Sequence, residues 1–164
     1  MSRVMTFSRV FPSYHPMAGQ PTRFIEKIYA SLADNVEGFK IPNSANDYWD
    51  WHEYYNCTKP KHHTIRAGHR WKVGDKFSPR VWSSKPYQSK QIIIAPDIEV
   101  KKVWDFEVYF EKTLQQKQVL KLKSGKGNIP EIATNDGLEL IDFLHWFNKP
   151  FDGQIICWND SIEY

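Results

Sequence analysis

The sequence has little cysteine and no long apolar run. Cys57 and Cys157 are its two cysteines, and their wide separation argues against a disulfide framework or a cysteine-based zinc site. We therefore expect both thiols to be free and reduced. No stretch of about 18 apolar residues is present to cross a bilayer, and residues 1–5 lack the continuous apolar segment of a secretory signal. These absences predict a cytoplasmic protein without membrane association.

The excess of charge is also small. A formal net charge of +3 and an isoelectric point near 8.8 fall short of a protein that coats nucleic acid, although they favour a phosphate-bearing partner. Hydrophobic residues make up 41% and aromatic residues 15%, with seven tryptophans, which excludes a disordered chain. The 164 residues fit one domain, residues 1–164, that buries roughly 70% of its unfolded surface.

The order of predicted elements indicates an α+β domain. Alternating β-forming residues predict a strand from Val4 to Phe11, and helical spacing of apolar residues predicts a helix over 21–34 and another that begins near Asp136. Later strands are expected at 76–83, 91–95, 98–110 and 153–158, and a short helix or ordered loop at 47–56. Because consecutive strands lack the helices that parallel crossovers need, we expect a curved or barrel-like sheet.

One dense polar run follows a proline-bearing loop: Lys59-Pro60-Lys61-His62-His63-Thr64-Ile65-Arg66. In a regular strand Thr64 and Arg66 share a face, whereas Lys61 lies at odd separation from Thr64 and points away. The Lys61 ammonium can therefore meet the Thr64 hydroxyl only if the chain turns at 61–63. Pro60 and its polar neighbours favour such a bend.

The residue types in this run suit nucleophilic chemistry. A threonine hydroxyl needs a base to take its proton, and lysine can act as that base only when burial or nearby positive charge lowers its pKa. Arg66, Lys59 and the histidines supply positive charge. A carboxylate is also needed for proton transfer, and none occurs between Glu53 and Asp75. The alternative is a solvated strand end in which Arg66 pairs with a neighbour and Lys61 has no role.

The sequence around this run resembles the ASCH domains, a branch of the PUA-like β-barrels. The pattern Lys-x-x-Thr-x-Arg at 61–66, the Gly74-Asp75 turn, an acidic residue at Asp136 and a strand at 155–158 follow the order found in that family. The resemblance implies an α+β fold with a curved PUA-like barrel and flanking helices. It also implies a partner that is RNA or a modified nucleoside, and an aromatic-rich insertion at about 36–58.

The resemblance further implies an activity. The best-understood enzymes that resemble this sequence are small amidohydrolases that remove the acetyl group from N4-acetylcytidine with a lysine, a threonine and a glutamate. These roles fall on Lys61 as base, Thr64 as nucleophile and Asp136 as proton-transfer group, with Arg66 or backbone N–H groups holding the oxyanion or substrate. Asp136 is one methylene shorter than the family's glutamate, and it is equally consistent with a helix N-cap that has Glu139 three residues on. No cofactor is implied.

Aromatic residues and histidines give further expectations. His63, Trp71 and Trp82 are predicted to contact the substrate, whereas the aromatic residues at 48–55 are predicted to pack on the core in preference to stacking on bases. Adjacent histidines in a strand face opposite ways, and no acidic or cysteine partner has ligand spacing, so no metal site is predicted.

A second class of function remains open on the same residues. In a non-catalytic RNA-binding module, Lys61 and Arg66 would contact phosphate, and affinity would depend strongly on salt.

Overall fold

The computed structural model describes all residues, 1–164, as an α+β chain of eight strands, four α-helices and one 3₁₀ helix. The strands are β1 (Arg3–Phe7), β2 (His63–Ala67), β3 (Lys76–Trp82), β4 (Gln91–Ile93), β5 (Ile98–Glu99), β6 (Lys102–Phe110), β7 (Gln118–Leu122) and β8 (Phe151–Cys157). The helices are α1 (Phe24–Asn35), α2 (Trp51–Tyr55), α3 (Ile129–Asn135) and α4 (Leu140–Trp146), and the 3₁₀ helix spans Asn43–Tyr48.

The strands form two open sheets. In the first sheet β1 runs parallel to β3, and β4 and β5 pair antiparallel with β3. The second sheet is antiparallel throughout, in the order β2-β8-β6-β7. The expected curved PUA-like/ASCH barrel is wrong, because closure requires the outer strands of a sheet to pair with one another. Here β2 and β7 each have one strand neighbour and remain edges.

One core lies between α1 and the first sheet. The apolar positions of α1 recur at helical spacing, so that Ile25, Ile28, Tyr29 and Leu32 are buried on one face. They pack with residues of the first sheet that include Phe77 and with Ile156 and Trp158 near the end of β8. The helix predicted over 21–34 is present, and its first turn begins at Phe24.

A second core lies between the second sheet and helices α3 and α4. Its buried members include Phe106, Ile132, Phe143 and Ile155. Sequence reasoning did not predict α3, and the alternative in which Asp136 is the N-cap of the following helix is wrong. Asp136 is instead the C-cap of α3, while Glu139 precedes α4 as its N-cap.

The aromatic-rich segment forms the 3₁₀ helix and α2 and covers the outer side of α1. Trp49 and Tyr54 pack edge-on against the buried ring of Tyr29, with ring centroids 5.7 and 6.5 Å away. Trp51 and Tyr55 are exposed. Three of the five aromatic residues at 48–55, including Tyr48, therefore pack on the core, and the other two face solvent.

None of the helices has both the length and the apolar character needed to cross a membrane.

Candidate active site

Lys61 lies just before β2, outside its regular strand pairing, and is next to the end of helix α3. Lys61 forms an isolated antiparallel bridge with Asp136, and its backbone N–H donates to the carbonyl of Lys27 at 2.9 Å. The His62 N–H donates to the carbonyl of Asn135 at 2.8 Å. Regular strand pairing begins only at His63, so Lys61 and Thr64 line the same cavity despite their odd separation.

The end of α3 presents Asp136 to this lysine. Gly137 has a φ of 78°, which glycine adopts without strain, and its N–H donates to the carbonyl of Thr134. The Leu138 N–H donates to the carbonyl of Ala133, which completes a Schellman motif. Lys27 then holds the turn by donating from Nζ to the Gly137 carbonyl at 2.6 Å.

Lys61 and Asp136 form a buried ion pair. The Lys61 Nζ donates to the Asp136 Oδ1 at 2.5 Å and to the Asp136 carbonyl at 2.8 Å, and it lies 4.2 Å from the centre of the Phe24 ring. Burial lowers the pKa of Lys61 to about 8 although Asp136 opposes the shift. Burial, the largest single influence, raises the pKa of Asp136, but the charge of Lys61 and the contacts with Lys61 and His63 together hold that pKa below its usual range.

His63 lies behind the ion pair. Its Nε2 is 2.8 Å from the hydroxyl of Tyr164, which also accepts from the Asn135 amide at 2.9 Å. Its Nδ1 is 3.6 Å from the Asp136 Oδ1, too far for a hydrogen bond, and is buried without a partner. Burial lowers the pKa of His63, so the ring is neutral at pH 7 and lies beside the Asp136 carboxylate without a hydrogen bond to it.

Thr64 and Arg66 complete the cavity from one face of β2. The cavity has a volume of about 90 Å³ and is lined by Lys61, Thr64, Arg66 and Asp136 together with apolar side chains. The Thr64 hydroxyl forms no hydrogen bond within the protein. Arg66 donates from Nη2 to the carbonyl of Thr6 at 2.6 Å, but its buried Nε has no partner. The cavity thus combines a free hydroxyl, an unpaired cationic donor and an ion pair.

The apolar walls of the cavity were not found by sequence reasoning. Phe7 belongs to the first core, whereas Phe24 and Phe147 belong to the second, so the cavity lies where the two cores meet. Ser8 and Trp146 also line it. Because these residues come from separate elements, no local pattern connects them with the Lys61 motif.

The other predicted substrate contacts lie elsewhere. Trp71 packs on Phe77 with ring centroids 5.9 Å apart and lies under the guanidinium of Arg3, away from the cavity. His63 does not line the cavity either. Trp82 lines a neighbouring groove of about 400 Å³.

The histidines do not converge on a metal site. His62 turns toward Ser31 and Asn159, at 2.8 and 3.0 Å from its Nδ1, on the opposite side of the chain from His63. No group of three or more histidine, cysteine, aspartate or glutamate side chains has the arrangement to hold a metal ion.

No protein-family model, curated protein or solved structure matches the chain. The resemblance to ASCH domains therefore rests on the motif residues themselves.

Proposed function

We propose that this protein is a cytoplasmic amidohydrolase that removes a small acyl group from the exocyclic amine of a modified nucleobase, such as N4-acetylcytidine. The observation that supports it best is the joint presence of Lys61, Thr64, Arg66 and Asp136 around one cavity. The size of that cavity, about 90 Å³, suits a short acyl group, since it equals about three water molecules at ~30 Å³ each. The choice of a nucleobase as the acylated amine rests on the resemblance of the motif to ASCH domains.

In the first half-reaction Thr64 is the nucleophile. Its oxygen attacks the amide carbonyl carbon while its proton passes to neutral Lys61, and the carbonyl electron pair moves onto oxygen. Arg66, whose Nε has no other partner, donates to this oxyanion. The carbon–nitrogen bond then breaks, and the Lys61 ammonium gives its proton to the leaving amine. The products are the free nucleobase amine and an acyl ester of Thr64.

In the second half-reaction water releases the acyl group. Water attacks the ester carbonyl carbon and gives its proton to Lys61, and the carbon–oxygen bond to Thr64 breaks. The Thr64 oxygen recovers the proton from Lys61, so one water is consumed and a carboxylic acid leaves. Asp136 stays ionised throughout and stabilises each ammonium form of Lys61 through the 2.5 Å contact.

The electrostatics of Lys61 suit a base that works near neutral pH. A pKa of about 8 leaves a fraction of the lysine neutral at pH 7 and makes its conjugate acid strong enough to protonate a leaving amine. A solvated lysine, with a pKa near 10.4, would be almost wholly protonated at that pH.

The alternative, a non-catalytic RNA-binding module, has less support. Phosphate contacts come from solvent-accessible lysine and arginine side chains, whereas Lys61 is 2% exposed and paired with Asp136. Arg66 is held by the carbonyl of Thr6 and lies 5.2 Å from the centre of the Phe7 ring.

Replacement of the Thr64 hydroxyl tests the proposal. Thr64→Val keeps the shape and removes the nucleophile, so the release of cytidine and acetate from N4-acetylcytidine should fall by about 10² to 10⁴-fold. Thr64→Ser restores a hydroxyl and should recover part of the rate. Thr113→Val, at an exposed loop position, is the matched control and should leave the rate unchanged. A Thr64→Val protein that turns over at the wild-type rate would overturn the proposal. So would a wild-type protein that hydrolyses no acylated nucleoside.

A further inference from the structure

A groove next to the candidate cavity has no part in the chemistry above. Its volume is about 400 Å³, within the range of roughly 300–1,000 Å³ in which proteins bind small organic ligands. Phe7, Ser8 and Phe24 line both the groove and the cavity. The groove and the cavity therefore adjoin at these three residues.

Two aromatic rings from different parts of the chain line the groove. Trp82 lies at the end of β3 and is backed by Tyr87, with ring centroids 5.3 Å apart. Tyr48 lies at the end of the 3₁₀ helix, within the aromatic-rich segment. Both residues are only partly buried. Aromatic surfaces of this kind stack against nucleobases.

Arg9 is the basic group of the groove that has no acidic partner. Its guanidinium lies 5.2 Å from the centre of the Tyr48 ring, and its Nη1 donates to the carbonyl of Ser83 at 3.0 Å. The other arginine of the groove, Arg23, lies 3.7 Å from Glu26 and 3.8 Å from Glu53. A planar guanidinium that keeps free donors and forms no salt bridge suits a phosphate group, and the one carboxylate that lines the groove, Glu26, is paired with Arg23.

We propose that the groove binds the ribose phosphate of a nucleotide, with Arg9 on the phosphate, so that the substrate is an acylated nucleoside monophosphate in preference to the free nucleoside. This proposal rests on the proposed function for the reaction at the cavity. What it adds is a phosphate site, which involves neither Thr64 nor Lys61.

Binding of the product-type ligands CMP and cytidine tests the proposal without any turnover. We expect CMP to bind the wild-type protein at least about tenfold more tightly, because a charged hydrogen bond contributes about 1.5–3 kcal/mol. Arg9→Gln should abolish this preference and leave the affinity for cytidine unchanged. Arg3→Gln, which removes a guanidinium that lies over Trp71 outside the groove, is the matched control and should keep it. Titration calorimetry at low salt measures the affinities of the three proteins for both ligands.

Each outcome separates this proposal from the proposed function. Equal affinities for CMP and cytidine, or a preference for CMP that survives Arg9→Gln, would overturn the phosphate site whether or not N4-acetylcytidine is hydrolysed. An oligocytidylate that binds more than tenfold more tightly than CMP would assign the groove to RNA and overturn the mononucleotide. An Arg9-dependent preference for CMP in a protein that hydrolyses no acylated nucleotide would leave the phosphate site standing and remove the amidohydrolase.

Discussion

Lys61 reaches both the carboxylate and the backbone carbonyl of Asp136, two residues 75 positions apart in the sequence. One ammonium group thus binds the side chain that balances its charge and also the backbone at the end of α3. The pair joins the polar run before β2 to the end of helix α3. We expect substitutions in this ion pair to change both the free energy of unfolding and the rate of hydrolysis, and the two effects can be measured separately.

Loss of one partner of this pair should be strongly destabilising. Lys61→Met leaves the Asp136 carboxylate buried without a cation, at a cost of about 3–5 kcal/mol in the free energy of unfolding. The double variant Lys61→Met/Asp136→Leu removes both charges and should recover most of that loss. Urea unfolding measures both, with Lys101→Met as a control that breaks an exposed pair with Glu99. A Lys61→Met protein as stable as the control would contradict the prediction.

The rate should rise with pH as Lys61 loses its proton. Burial lowers the pKa of Lys61 to about 8, and the base acts in its neutral form, so kcat/KM for N4-acetylcytidine should increase through pH 8 and level off above it. In Lys61→Arg the charge persists at every accessible pH, and both the activity and the inflection should disappear. A profile that is flat from pH 6 to 9 in the wild-type protein would exclude Lys61 as the base.

A side chain at Gly153 should displace the strand that carries the site. Gly153 lies in β8 opposite Ala67 of β2, and an added Cβ would overlap the backbone carbonyl of Arg66. Gly153→Ala should cost about 1–3 kcal/mol of stability and lower turnover, because Arg66 and Thr64 move with the backbone. Thermal unfolding and a rate assay measure the two effects. Ala67→Ser, at the exposed position across the pair, is the control, and a Gly153→Ala protein that matches it would refute the overlap.

His69 should stabilise the protein in its protonated form. Its two ring nitrogens lie 2.9 Å from carboxylate oxygens of Asp105 and Asp152, and only the cation can donate from both. The hydrogen bonds to Asp152 and then to Asp105 raise the pKa of His69. The stabilisation is therefore full below the unfolded pKa of about 6.5 and is lost as pH rises through the higher folded pKa.

Thermal unfolding of His69→Gln checks the sign of this effect. The difference in Tm between wild type and variant should be largest near pH 6 and should shrink toward pH 9. His52→Gln, in the exposed helix α2, should show no such trend. A difference that grows with pH would mean that the neutral imidazole is the stabilising form.

The local part of the site could be predicted from the sequence. Strand periodicity places Thr64 and Arg66 on one face, and regular pairing of β2 begins at His63, after Lys61; residues 61–63 contain no turn or bend, and the nearest bend lies at 58–59. The inference from periodicity depends on neighbouring residues alone. The assignment of chemical roles to these residues stays a prediction.

The misreading of Asp136 has a specific cause. Helix α3 is short, and its two buried residues, Ile132 and Ala133, are adjacent, so it shows no apolar period. Its ends nevertheless carry local signals: Asn128 caps the start and accepts from the Glu131 N–H at 2.9 Å, and Gly137 with Leu138 forms the Schellman end. Reading Asn-Asp-Gly-Leu as a helix end would have placed Asp136 correctly.

Whether the sheet closes into a barrel could not be predicted from local patterns. Strand positions near β3, β4, β6 and β8 follow from alternation, but closure depends on which outer strands meet, and those contacts are remote in sequence. The same holds for the walls of the cavity, where Phe7, Phe24 and Phe147 come from three distant segments.

The distance in sequence between Lys61 and Asp136 also bears on folding kinetics. The two charges leave water together only after residues separated by 75 positions have met and α3 has docked, which is an entropically costly step. We expect a contact of this kind to form after the main folding barrier. Substitutions at either residue are therefore expected to accelerate unfolding and to leave the folding rate nearly unchanged, so the lifetime of the native state, more than the speed of reaching it, depends on the polar centre of the protein.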